Sequence, residues 1–190
     1  VTFTNKAAKE MNERIRELVG PVGGAFSIGT FHAFCSGVLR RDGRYVGIDP
    51  NFTIYDQEDQ FKIVKQALDE VGLDAKQFHP RAVHGVISRA KSLLIDPDAL
   101  ANNHRNYFEA QSAKVYRCYQ DILTRNNGLD FDDLIMRVVN LLRNNPDILK
   151  KYQDRYLHIL IDEFQDTNVS QYHLAKLLVG ERRNICVVGD

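Results

Sequence analysis

From residue 57 to about residue 126 the apolar side chains recur at three- and four-residue spacing: Phe61, Val64, Leu68 and Val71, then Val83, Val86, Ile87, Ala90 and Leu94, then Val115, Tyr116, Tyr119 and Leu123. No strand-type run interrupts them, so this stretch reads as helix throughout. On either side the pattern changes. Short apolar runs of strand type fall at 1–3, 25–29, 52–55, 156–161 and 185–188, separated by amphipathic segments, as expected of a parallel sheet covered by helices. The fold class that follows is α/β with an all-helical insertion, divided as 1–56 for the first sheet-bearing part, 57–128 for the insertion and 129–190 for the second part.

Two helices are expected in the first part. Ala7, Ala8, Met11, Ile15 and Leu18 share one face of a helix over 4–18, which Thr4 or Asn5 is placed to cap. The second starts at Phe31, with Phe34, Cys35, Val38 and Leu39 inward. Composition narrows the function classes. A chain of 190 residues that is 44% hydrophobic can bury one core with a sizeable insertion. It carries no uninterrupted apolar run of the roughly 18 to 20 residues a membrane span needs and opens on no secretory leader, so neither a membrane protein nor a secreted one is expected. Its three cysteines, Cys35, Cys118 and Cys186, are odd in number and never in C-x-x-C spacing, which suggests neither a disulfide framework nor a zinc site and fits a reducing cytoplasm. The 25 basic and 25 acidic side chains cancel, so the overall basic excess of many nucleic-acid binders is missing. Residues 1–45 hold seven Lys/Arg against four Asp/Glu, a mild asymmetry that an anion-facing side or a solvated helix face explains equally well.

The stretch "ILIDEFQDTN", residues 159–168, runs an apolar strand straight into two adjacent acids, Asp162 and Glu163. In open parallel sheets, ligands bind beyond the C-terminal strand ends, where Thr4, Asp162 and Asp190 would all sit. Two carboxylates at a rigid strand end suit phosphate chemistry, with Asp162 toward Mg²⁺ and Glu163 toward the attacking water. Asp162 as a helix cap beside a solvated Glu163 is the alternative, and the residues alone do not choose between them.

At "VTFTNKAAKEMNERI", "IGTFHAFC", "LDFDDLI" and "LIDEFQDTNVSQYHLAKLL" the chain resembles superfamily 1 DNA helicases of the UvrD/Rep/PcrA type. The four stretches stand in the family's order and account for both α/β portions, while the helical middle matches in character more than in letters. The resemblance implies a RecA-like motor domain with a helical insertion, part of an ATP-dependent enzyme of DNA repair and replication that moves 3′ to 5′ on single-stranded DNA and unwinds duplex at single-strand/double-strand junctions. It makes Asp162 the Mg²⁺ partner and Glu163 the general base, with Gln165 and Asp166 linking the ATP site to its neighbours. "TFTNKAA" places Phe3, Thr4 and Asn5 against single-stranded DNA, and "GTFHAF" places Thr30 and His32 at a helix start that favours a phosphate. Read without the family, Phe3 suits a core and His32 a satisfied helix position; the resemblance turns both toward DNA.

The departures are as informative. No G-x-x-x-x-G-K-[ST] phosphate loop occurs; the glycine cluster "VGPVGGAF" reads as a turn, and "VVGD" resembles only the opening of the family's motif III. Val1 falls inside a strand-type run. The expectation is a piece of the motor, inert by itself, which needs an upstream phosphate loop and the arginine finger of a second RecA-like domain of the same full-length chain. The motor of a RecB/AddA-type helicase-nuclease and a non-catalytic DNA- or protein-binding module are the alternatives. Asp130, Asp132 and Asp133 read as a helix start with Asp130 capping, His79 and His84 share no acidic partner, and "KSLLIDPDAL" reads as a helix end and Pro-containing turn without chemistry.

Overall fold

The structure, a computed structural model, describes residues 1–20 and 26–190. After the short extended start, the Ala7 N–H donates to the Thr4 hydroxyl at 3.1 Å and opens α1 (Asn5–Val19). Thr30 caps α2 (Phe31–Asp42) in the same way through the Ala33 N–H, also at 3.1 Å. Strand β1 (Thr53–Tyr55) leads into α3 (Gln57–Val71), which starts on Asp56 and stops where Gly72 takes a left-handed φ of 76°. Then follow α4 (Pro80–Ser92), α5 (Pro97–Asn102) and α6 (Tyr107–Arg125). Proline at the first turn of α4 and α5 costs nothing, because that N–H has no helical partner. Strand β2 (Gly128–Asp130) runs directly into α7 (Phe131–Asn144), and α8 (Pro146–Arg155), β3 (Ile159–Ile161), α9 (Val169–Val179) and β4 (Ile185–Val187) complete the chain.

The helical stretch follows from strand direction. β1 and β2 pair in parallel, Thr53 opposite Gly128 and Tyr55 opposite Asp130, and parallel neighbours cannot be joined by a tight turn. Helices α3 to α6 are the crossover between them. At their return Gly128 packs so closely on the Tyr55 ring that any side chain there would collide with it. β3 and β4 pair in parallel as well, Ile159 opposite Ile185 and Ile161 opposite Val187. On the other side of β3, Val1 N donates to Leu160 O at 2.6 Å, and the Asp162 N–H donates to Val1 O at 3.0 Å. Thr2 in turn donates to Gly29 O at 3.1 Å and bridges Thr30 in parallel. The hydrogen-bonded order is therefore 29–30, 1–2, β3, β4.

Two hydrophobic clusters result. One gathers Cys35, Val38 and Leu39 of α2, Leu134, Ile135, Val138 and Leu142 of α7, Tyr152, Ile159 and Ile161, and Leu174 and Leu178 of α9. The other, built from α3, α4 and α6, gathers Ile63, Val64, Leu68, Val83, Ile87, Tyr116, Tyr119 and Leu123. The all-helical reading of 57 to about 126 matches the structure, which has no strand there. Phe34 is only half-buried, set edge-on to the rings of Tyr152 and Tyr156. Thr4, not Asn5, is the cap of α1.

The strand readings need correction. Runs 52–55, 156–161 and 185–188 shorten to three residues each, and 1–3 is reduced to the bonds of Val1 to Leu160 and Asp162 and an isolated bridge from Thr2 to Thr30. Residues 26–29 form no strand; among the described residues, the backbone bond from Thr2 to Gly29 O is what ties them to the sheet, and residue 25 and most of the expected glycine turn lie outside the described residues. Strand β2 and helix α8 are not among the expected elements.

Asp42 ties α2 to α8: Lys151 Nζ donates to both its carboxylate oxygens, at 2.9 and 2.8 Å, and the Tyr152 hydroxyl donates at 2.7 Å. Burial alone would raise the Asp42 pKa, but the hydrogen bonds from Lys151 and Tyr152 together outweigh it and hold the group below its ordinary value. A depressed carboxylate pKa adds stability above the unfolded-state value, and that stability is lost as pH falls through the folded-state value. Asp42→Asn is therefore expected to lower stability at pH 7 by about 1–3 kcal/mol. Because Asn does not titrate, urea unfolding of mutant and wild type should converge as the pH is taken below about 4.

Candidate functional site

Along β3 the side chains alternate, with Ile159 and Ile161 buried and Leu160 62% exposed. The next residue, Asp162, is half-buried, and its N–H is held in the ladder to Val1. A continued strand would put Glu163 on the opposite face. Instead Glu163 adopts the left-handed conformation, φ 52° and ψ 45°, and the chain turns through a 3₁₀ segment, Phe164–Asp166. Such a backbone costs a non-glycine residue roughly 1–3 kcal/mol and persists only where neighbours over-determine it. Here they do: the Asp166 N–H donates to Glu163 O at 3.0 Å, Phe164 N–H donates to Val188 O at 2.8 Å beyond the end of β4, and Gln165 Nε2 donates to the Glu163 carboxylate at 2.6 Å. Gly189 lies so close against Gln165 that a side chain could not be added without displacing it.

The two acids therefore differ in kind. Asp162 is a half-buried carboxylate on a hydrogen-bonded strand end, and Glu163 is an exposed one on a tight turn with an amide partner. Neither caps a helix; Asn168 caps α9, receiving the Gln171 N–H at 2.9 Å while Gln171 Oε1 accepts from Asn168 N–H. The capping alternative for Asp162 is thereby removed. Among the described residues no three His, Cys, Asp or Glu side chains converge as a metal cage. Mg²⁺ does not need one, since it keeps most of its water and takes one or two protein carboxylates; the hard oxygen donor of Asp162 fits that requirement.

The residues expected to face DNA lie at the first turns of α1 and α2. Phe3 is half-buried with its ring 5.8 Å from that of Phe31. Thr4 and Asn5 are exposed, and the Thr4 hydroxyl already serves as the cap. Thr30 is buried, its hydroxyl oxygen engaged by the Ala33 N–H. His32 is half-buried and stands edge-on to Phe131, ring centres 5.6 Å apart at 88°. Burial lowers the His32 pKa and outweighs the opposing charge of Asp132, so at neutral pH the ring acts as a neutral hydrogen-bonding group.

Two residues escaped the sequence reading. Phe131, 44% exposed beside His32, sits three and seven residues before Leu134 and Val138 and so looks like core by spacing. Lys91 is fully buried, its Nζ 2.6 Å from Asp130 and 2.9 Å from Asp133. Asp130 does cap α7, in a reciprocal box with Asp133, but both acids also neutralise a lysine from the stretch read as having no chemistry. Burial pushes the Lys91 pKa down; the two carboxylates outweigh it and raise the value, so the ammonium stays charged. With one cation against two anions, Asp133 is raised, by burial first and the charge of Asp130 second.

A cavity of about 550 Å³ opens between α1, residues 26–28 and the outward face of β3, lined by Met11, Ile15, Phe26, Tyr156 and Leu160 among others. Its walls are mostly apolar and exclude both acids, so it is not where phosphate chemistry would occur.

Comparison with known proteins bears on the site as a whole. The family model of the UvrD/REP helicase N-terminal domain matches residues 1–190. The ATP-dependent DNA helicase PcrA of Staphylococcus aureus is 45% identical over all 190 residues, which cover 26% of that protein, and PcrA of Staphylococcus epidermidis matches to the same extent. The chain thus spans about a quarter of the length of the curated relatives it matches.

The left-handed turn makes a prediction independent of any reaction. Glu163→Gly should leave stability unchanged or raise it by up to about 1 kcal/mol, since glycine takes this conformation freely. Glu163→Val, β-branched, should cost about 1–3 kcal/mol. Thermal unfolding of the two variants beside wild type reads the difference.

Proposed function

We propose that this chain, which belongs to the UvrD/REP helicase family, supplies the hydrolytic acids and part of the DNA track of an ATP-driven DNA motor. The observation that carries the reading is the different setting of Asp162 and Glu163 at the end of β3. Asp162, on the strand end, would hold Mg²⁺, which when bound neutralises charge on the transferring phosphate. Glu163 accepts the proton of the attacking water, and Gln165, donating to its carboxylate, fixes the carboxylate's orientation. Asp166 closes the turn.

Residues 1–56 and 129–190 are read as the two parts of a RecA-like motor domain, and 57–128 as the helical subdomain inserted between them. Phe3, Thr4, Asn5, Thr30 and His32 face single-stranded DNA. The exposed ring of Phe131, paired with His32, extends that surface. Phe3 offers its uncovered face for base stacking while Phe31 supports the other side of the ring's environment. Thr30, engaged as a cap, still has its hydroxyl proton to donate to a phosphate at the start of α2. In the whole protein the motor translocates 3′ to 5′ and opens duplex at junctions, in the cytoplasm, with the arginine finger supplied by a second RecA-like domain. Among the described residues no helix is long and apolar enough to cross a membrane. Residues 1–190 contain no phosphate loop, so by themselves they should not turn over ATP.

Glu163→Gln in the whole protein is expected to keep Mg·ATP binding and to lower DNA-stimulated hydrolysis by about 10²- to 10⁴-fold, because the amide keeps the shape of the base but cannot take the proton. Equilibrium nucleotide binding and steady-state turnover, measured on the same preparation, separate the two effects; hydrolysis at the wild-type rate would remove Glu163 from the mechanism. Phe3→Ala should weaken single-strand binding by about 1–3 kcal/mol with little change in ATP affinity. Undiminished affinity for an oligothymidylate would take Phe3 out of the track.

A further inference from the structure

All three acids at the start of α7 are gripped from the helical layer. Lys91 of α4 reaches Asp130 and Asp133 at 2.6 and 2.9 Å. Ser88, one turn earlier on α4, donates to Asp132 at 2.6 Å. From α6 the Tyr119 hydroxyl donates to Asp130 at 2.8 Å and Gln120 Nε2 donates to Asp133 at 3.1 Å. The Lys91 ammonium also lies 4.9 Å from the centre of the Tyr119 ring. Between Asp130 and Asp132 stands Phe131, whose own side chain is exposed and paired with His32.

A buried ion pair of this kind is a weak source of net stability, since desolvating three charges offsets their attraction. Apolar side chains of similar size would pack α4 against α7 as firmly. They would not fix the position of α7 along and about its axis, because hydrophobic contact is non-directional. An ammonium shared between two carboxylates of the same helix start, the cap Asp130 and Asp133 three residues on, does fix it.

We propose that Lys91 is a positioning residue for the DNA track: through Asp130 and Asp133 it sets the first turn of α7 and so holds Phe131 against His32, where single-stranded DNA passes. The inference rests on the reading of His32 and Phe131 as DNA-facing. It makes the helical layer a determinant of DNA affinity through a residue that no DNA can touch, Lys91 being fully buried.

The test is a double-mutant cycle in the whole protein, reading the affinity for an oligothymidylate by fluorescence anisotropy at several salt concentrations, with thermal unfolding in parallel. Phe131→Ala is expected to weaken binding about tenfold, within the range for loss of one base–aromatic stack. Lys91→Met should weaken it by a similar factor, leave the slope of affinity against salt unchanged because no phosphate contact is lost, and add nothing further in the Phe131→Ala background. Wild-type affinity in folded Lys91→Met, or losses that multiply in the double variant, would overturn the proposal and leave Lys91 a structural residue. Wild-type affinity in both Phe131→Ala and His32→Ala would overturn the DNA reading itself. Should Lys91→Met not fold, Ser88→Ala asks the same question from the half-exposed side: about threefold weaker binding, again absent in the Phe131→Ala background, supports the proposal, and unchanged binding overturns it.

Discussion

Parallel strand pairing is the constraint from which the rest of this structure follows. Two parallel neighbours must be linked by a crossover, and between β1 and β2 the chain meets that demand with four helices, α3 to α6. Parallel pairing also collects the C-terminal ends of paired strands on one edge, and in three of the four strands among the described residues the residue at or just past that end is an acid. Asp56 follows β1, Asp130 ends β2 and Asp162 follows β3. Asp56 and Asp130 are used up as helix caps, accepting from the N–H groups of Asp59 at 2.9 Å and Asp133 at 2.7 Å. Asp162 is not, because a left-handed Glu163 and a 3₁₀ turn intervene before the next helix, which brings its own cap in Asn168. An acid at a strand end is thus a cap by default, and it becomes available for chemistry when the backbone after it refuses to start a helix.

The same logic separates the two kinds of buried charge. Asp42 at the end of α2 meets a half-exposed Lys151, so its pairing is adjustable and its cost modest. The Lys91 cluster has no such relief: all three charged side chains are almost wholly enclosed. Both carboxylates are satisfied, by Tyr119 or Gln120 and by a backbone N–H as well as by Lys91, so the charged members specify an arrangement instead of loosening the core; at the edge of the network Gln120 Oε1 is buried without a hydrogen-bond partner among the described residues.

Legibility in the sequence followed the range of the interactions. Helices α3, α4 and α6 showed in the spacing of Val64 and Leu68, Val83 and Ile87, or Tyr116 and Leu123, because amphipathic period is local. Caps such as Thr4 and Asp130 showed for the same reason. Strand β2 did not, since three residues, Gly-Leu-Asp, are too few to alternate; what makes them a strand is a partner some 75 residues earlier in the chain. Lys91 looked like one more cation in a helix end, and only tertiary packing encloses it. Phe131 kept the period of a core residue and is exposed because it sits where α7 has just emerged from β2. Asp162 and Glu163 were legible as a pair, but not the turn that divides them.

That turn explains why two adjacent carboxylates can hold different tasks. Consecutive residues of a continuing strand point to opposite faces, which would leave one acid behind the sheet and useless to the other. A helix starting at once would turn Asp162 toward its own first-turn N–H groups, as it does at Asp56 and Asp130. One left-handed residue avoids both outcomes. Asp162 keeps its strand bond to Val1, Glu163 passes to the outside of a turn locked by Gln165 and by the Phe164–Val188 bond to the end of β4, and the strain is localised in a single residue. Since Val188 directly follows β4, the strand that neighbours β3, any shift of that neighbour's end acts directly on the backbone that sets Glu163, so the conformation of Glu163 is coupled to the edge of the sheet as well as to its own sequence.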